Sequence, residues 1–128
     1  MNGDFTNAGT FTHDNGAVTF SGAATQTFDP GASSFYDLYI SNTSADVDLV
    51  THALTVTHLL TISENASFDI NNIGLTATGA TFSNLGTLKL DGGQTITGLT
   101  GVNAGGTVVY DGADTYTCLL YTSDAADE

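Results

Sequence analysis

The sequence predicts an all-β protein, a right-handed parallel β-helix (β-solenoid) with about three short strands in each ~20-residue turn and roughly 5–6 turns. Three observations predict it. Short β-branched and aromatic runs alternate with glycine, asparagine and serine punctuation along residues 1–117. The segment Phe5-Thr6-Asn7-Ala8-Gly9-Thr10-Phe11 recurs as Phe82-Ser83-Asn84-Leu85-Gly86-Thr87-Leu88 at an offset of 77, and through Gly16 and Gly93 the match holds six identities in twelve positions. From Thr55 onward Thr-x-Thr triplets begin at Thr55, Thr76, Thr95 and Thr115, spaced 21, 19 and 20, while the earlier ones at Thr10 and Thr25 fall off that rhythm. Four turns of that length fill the 77-residue offset. An antiparallel β-sandwich also has short, regularly spaced strands, but it requires no such repeat.

The strands follow in order from period-two alternation between apolar and small polar residues. They are Gly9–Thr12, Ala17–Phe20, Thr25–Phe28, Phe35–Ile40, Val47–Leu49, Leu54–Thr57, Leu60–Ile62, Ser67–Ile70, Gly74–Ala77, Ala80–Ser83, Thr87–Leu90, Gln94–Thr97 and Thr107–Tyr110. Between Ala45 and Leu60 apolar residues also fall at helical spacing, but the threonines and valines there suit a pleated surface better. The corner from Phe28 to Ser34 holds the only proline, Pro30, and reads as a larger loop.

Stacking is what such coils need. One coil alone cannot bury its inward residues, whereas a stack makes a continuous core. Phe11, Val56, Ile62, Phe82, Leu88, Leu90 and Ile96 are the expected inward positions. Like residues then sit about 4.8 Å apart, where a charged ladder repels itself and a threonine ladder does not. The 22 threonines and the low charged fraction of 12% fit that constraint.

The charge excludes whole classes of partner. Fourteen acids oppose one base, Lys89, for a net charge of −13 over 128 residues. A single lysine cannot neutralise a row of phosphates, so nucleic acid and anionic lipid are excluded as electrostatic partners. No apolar run approaches the ~18 residues of a membrane-spanning helix. The string Cys118 to Glu128 resembles, codon for codon, a translated transposon-based sequencing adapter. It is set aside as a non-native tail, and residues 1–117 are expected to be a solenoid piece of a longer repeat protein. The only cysteine leaves with the tail, and so do Asp124, Asp127 and Glu128, taking the charge to −10.

Several pieces carry a family resemblance. They include Gly3 to Thr12, Gly16-Ala17-Val18-Thr19-Phe20, Ser34 to Asn42, Leu54-Thr55-Val56, Leu60-Thr61-Ile62 and Gly106-Thr107-Val108-Val109-Tyr110. They resemble the β-strand repeats of large bacterial cell-surface, adhesin-like proteins. The resemblance covers nearly all of residues 3–117. It implies a secreted, structural or adhesive role at the cell surface, with surface glycans or neighbouring solenoid repeats as partners. It brings no catalytic motif.

Asp46 and Asp48 share a strand face, and Asp111 and Asp114 flank a turn, but with Lys89 the only base and no G-G-x-G-x-D calcium pattern they read as solvated corner carboxylates rather than as a glycosidase pair or calcium ligands. His13, His52 and His58 lack metal-ligand spacing and read as surface residues. No G-x-S-x-G elbow is present. No catalytic residue, metal ligand or cofactor is therefore expected, and the chain is not expected to be an enzyme. Two ligand faces remain as alternatives. Tyr36, Tyr39 and Tyr110 are candidate sugar-stacking platforms. Thr55, Thr57, Thr76, Thr78, Thr95 and Thr97 are the candidate ladder of an ice-binding face, a role that resembles some solenoid antifreeze proteins. A fragment of a polysaccharide-processing enzyme is the remaining alternative.

Overall fold

The computed structural model describes residues 1–102 and 105–112. Among the described residues every strand pairing is parallel and there is no helix. One sheet, here sheet A, stacks β1 (Phe5–Thr6), β3 (Gln26–Asp29), β5 (Val47–Leu49), β7 (Ser67–Asp69), β10 (Thr87–Leu90) and β13 (Thr107–Tyr110) in that order. Sheet B stacks β2 (Ala17–Phe20), β4 (Ser34–Ile40) and β6 (Leu54–Ile62). It continues as two short strands per coil, β8 (Leu75–Thr76) with β9 (Thr81–Asn84), then β11 (Ile96–Thr97) with β12 (Thr100–Val102). Each coil thus passes from sheet A to sheet B, and the result is a parallel β-solenoid of about five turns.

The register gives the length of a turn directly. Phe5 pairs with Phe28, Gln26 with Val47, Val47 with Phe68, and Thr87 with both Ser67 and Thr107. Three strands per turn occur where β7, β8 and β9, or β10, β11 and β12, make one coil. In the two coils before them, the second and third strands run together. The join is visible in β6, where pairing with β4 shifts between Phe35↔Val56 and Asp37↔Leu59. Thr57 and His58 there face the single residue Tyr36, a bulge that bends the strand.

Alternation sends one set of side chains into the stack. In sheet A the inward rows include Gln26–Val47–Phe68–Leu88–Val108 and Phe5–Phe28–Leu49. In sheet B they include Val18–Leu38–Leu60–Phe82 and Phe20–Ile40–Ile62–Asn84. Val56, Ile62, Phe82, Leu88 and Leu90 are buried as expected, while Phe11 and Ile96 are half-buried against the same core. At its first coils the core is aromatic: Phe5, Phe11, Phe28 and Phe35 meet at centroid distances of 4.8–5.6 Å, mostly edge to face. The row ends are polar but satisfied. Gln26 accepts from the Gly22 N–H at 2.8 Å and donates to the Gly3 and Met1 carbonyls at 2.7 and 3.2 Å.

Three expectations need correction. Residues 9–12 form no strand; the first strand of sheet A is β1, and the Phe11 N–H donates to Ser33 Oγ at 3.0 Å instead of joining a ladder. The Pro30 corner is not a larger loop, because only residues 30–33 separate β3 from β4, with Gly31 at φ 63 making the turn. The segments matched at an offset of 77 do not overlie equivalent strands, since Phe5 belongs to sheet A and Phe82 to sheet B. The expected tail, residues 118–128, and Asp114 with the Thr115 triplet lie outside the described residues.

Candidate functional site

The outward faces carry the chain's chemistry, and each follows from strand register. On sheet A the outward row reads Thr27–Asp48–Asp69–Lys89–Val109. Lys89, the only basic side chain of the protein, stands next to Asp69 in that row and reaches across to Asp46, with Nζ 2.8 Å from Oδ2. Its pKa is raised, first by that hydrogen bond. Asp48 and Asp69 are shifted upward as well, first by burial of their carboxylates. The second acid, Asp46, adds to this for Asp48, as Asp111 and Asp48 do for Asp69. The carboxylate oxygens of Asp46, Asp48 and Asp69 lie within 4.8 Å of one another, as do those of Asp69, Asp91 and Asp111. An oxygen-only donor set is the chemistry of a hard cation such as calcium. In the first trio Lys89 already supplies a positive charge.

The tyrosines are not brought together. Tyr39 lies outward in the row Thr19–Tyr39–Thr61. Tyr110 pairs with the inward Leu90 and packs against the core. Tyr36 stands in a column of rings along the bulge: His58 stacks on it at 4.3 Å and 7°, and His13 approaches from the coil before at 5.6 Å and 35°. Imidazoles thus lie against Tyr36 from both neighbouring coils. His58 is itself held by Asp37, with Nδ1 2.6 Å from Oδ1. A second pair, His52 with Asp29 at 2.7 Å, holds the Asp29 pKa below its ordinary value, helped by the Gly31 N–H.

The threonines form one clean row rather than a two-row face. Ser34, Thr55, Thr76 and Thr97 are in direct register across four coils. The third triplet is displaced, because Thr97 and not Thr95 pairs with Thr76. Thr57, Thr78, Thr95 and Thr97 are exposed, while Thr55 and Thr76 are half-buried. A Cβ on Gly98 would lie 2.5 Å from Thr78 Oγ1, so glycine follows Thr78 in the stack and no hydroxyl continues that position.

A shallow concavity lies between the 11–15 segment and Ser34 at the start of β4. A cleft of about 490 Å³ is lined by Phe11, Thr12, His13, Asp14, Asn15 and Ser34. Residues 13–16 close it as a tight turn, with the Gly16 N–H donating to the His13 carbonyl at 2.7 Å and with Asp14 and Asn15 at φ 47 and 60. Positive φ at both central residues is the type I′ geometry, which Asp and Asn tolerate best after glycine. The cleft holds a single carboxylate, so its lining does not assemble the carboxylate pair of glycoside hydrolysis. Neither the histidines nor the cleft stood out in the sequence as a site, although the Asp14-Asn15-Gly16 string was a legible turn signal.

No protein-family model, curated protein or solved structure matches this chain. What the chain does is therefore read from its own residues.

Proposed function

We propose that this chain is a structural, adhesive-type repeat segment of a secreted bacterial surface protein, serving as a stiff spacer between parts of a longer molecule. One observation carries the reading. Six strands of sheet A and the coils of sheet B stack in parallel register without a reversal, so the chain extends along one axis by about 4.8 Å per coil. Such a stack is quasi-one-dimensional, each coil contacting its neighbours, and length is added simply by adding coils. The outward acids support the same reading, since a net charge of −10 over residues 1–117 keeps a long fibre soluble and repels a negatively charged cell surface.

Small-angle scattering tests the spacer. The expected profile is that of a rod, and tandem copies lengthen it linearly at constant cross-section. A compact profile for the tandem form opposes it. The adhesive part is tested with beads coated with the chain under flow over host-cell and glycan surfaces; retention no greater than that of uncoated beads counts against it. The flanking coding sequence tests the surface setting, where an export signal supports the reading and a cytosolic enzyme domain opposes it.

A further inference from the structure

We propose that the cleft beside the 13–16 turn binds a neutral sugar unit. The proposal goes beyond the spacer role and stands whether or not that role is correct. The walls of the cleft are preorganised. Residues 9–13 make no strand, yet their rings lie on rings of the next coil: Phe11 stacks on Phe35 at 4.8 Å and 25°, and His13 lies against Tyr36. Tyr36 is in turn stacked on His58, which Asp37 holds. Ser33 Oγ accepts from the Phe11 N–H and also from Asn7 Nδ2, both at 3.0 Å, which pins the segment from below.

The lining matches one class of ligand. A pyranose offers a C–H face and a rim of hydroxyls, each of which both donates and accepts. For the first, Phe11 offers only the part of its ring left uncovered by Phe35 and Phe5 where it borders the cleft. For the second, the Asn15 N–H donates to His13 Nδ1 at 2.9 Å, which places the ring proton on Nε2 as a donor. Asp14 adds an acceptor, Asn15 a carboxamide with both functions, and Thr12 and Ser34 add hydroxyls. The side chains of Thr12, Asp14 and Asn15 make no hydrogen bond among the described residues, so they are available to a ligand. The cleft is shallow and open to solvent with a mainly polar lining, which suits one exposed unit of a sugar chain rather than a buried small molecule. One carboxylate is too few for a calcium ion. A uronic acid meets both Asp14 and the net charge of −10 over residues 1–117, so the neutral sugar is selected.

Saturation-transfer NMR on the whole chain, with neutral hexamers of glucose, mannose and galactose and a hexauronate as control, tests the proposal. Transfer to at least one neutral hexamer and none to the hexauronate is expected. Asp14→Asn should weaken that binding roughly tenfold, the loss of one charge-assisted hydrogen bond. Asparagine tolerates the φ of 47 at this position, so an unchanged melting temperature separates lost binding from lost fold. Thr97→Ser, three coils away from Ser34 along the same row, should leave binding intact. Absence of transfer to every neutral hexamer, equal transfer to the hexauronate, or undiminished binding by Asp14→Asn overturns the proposal.

Discussion

Asn7 and Asn84 make the same two hydrogen bonds on different sheets. Each side-chain Oδ1 accepts from the N–H of the glycine two residues on, Gly9 at 3.0 Å and Gly86 at 3.1 Å. Each Nδ2 donates to a backbone carbonyl 23 residues later, Pro30 at 3.0 Å and Thr107 at 3.1 Å. A glycine of the next coil makes room in both cases. A Cβ on Gly31 would lie 2.3 Å from the Asn7 carbonyl oxygen, and one on Gly106 would lie 2.5 Å from that of Asn84. This is a corner device: a local turn closed by the amide oxygen and a staple to the next coil made by the amide nitrogen.

Removing the staple should cost stability in proportion to burial. Asn84 is fully buried, so Asn84→Ala leaves the Gly86 N–H and the Thr107 carbonyl without their partner and should cost about 1–3 kcal/mol. Asn7, exposed in part, should cost less. Gly106→Ala should be at least as damaging as Asn84→Ala, because its Cβ meets the backbone and side chain of Asn84 together. Chemical denaturation of the three variants, followed by circular dichroism, checks the order.

The same device explains what was legible in the sequence and what was not. The 77-residue match identified a real recurrence, since Asn7-x-Gly9-Thr10 and Asn84-x-Gly86-Thr87 are both corners. It could not say which corner, because a strand, an asparagine turn and a glycine read alike at either end of a coil. Ala17–Phe20, Thr87–Leu90 and Thr107–Tyr110 were legible to the residue, since alternation there is bounded on both sides by turn residues. Thr100–Val102 was not, for its centre is Gly101. The candidate site was hardly legible at all. His13, Tyr36 and His58 lie 22 or 23 residues apart, and a one-residue bulge decides that they align.

The core sets the scale for the stack's cohesion. Phe82 is fully buried and pairs with Leu60 of the coil before. Phe82→Ala should cost about 3–5 kcal/mol, the range for deleting a buried ring and leaving a cavity. Thr76→Val, a half-buried outward position between Thr55 and Thr97, should change stability by less than about 0.5 kcal/mol. Thermal melts of both variants distinguish a stack held by its interior from one held by its threonine row.

Acidification should at first stabilise the protein. Asp48 and Asp69 have folded pKa values above the ordinary 3.8, so in the folded state their ionised forms are disfavoured at neutral pH. That cost is relieved as pH falls from neutral through their folded values. Asp29 has the opposite sign. Its folded pKa lies below 3.8, so its contribution is present above that value and is lost as pH falls through the folded one. Melting temperature should therefore rise between about pH 7 and pH 4 and fall below that, with the shift modest because the groups are partly solvated. Asp48→Asn and Asp69→Asn together should flatten the rise; an unchanged slope would show that general charge repulsion dominates.

Lys89 should matter most where the acids are ionised. Its folded pKa lies above 10.5, so the stability it brings is fully present below that value and is lost only as pH climbs through the folded one. Lys89→Met keeps the stem and removes the charge, leaving Asp46, Asp48 and Asp69 within 4.8 Å of one another without a cation. The ion pair is partly exposed, so the loss at neutral pH should be about 1 kcal/mol. Two features separate it from a packing defect. High monovalent salt should restore most of the loss by screening the three acids, and so should lowering the pH toward 4, where Asp48 and Asp69 take up protons first. A deficit that stays constant with salt and pH would place the role of Lys89 in its aliphatic stem.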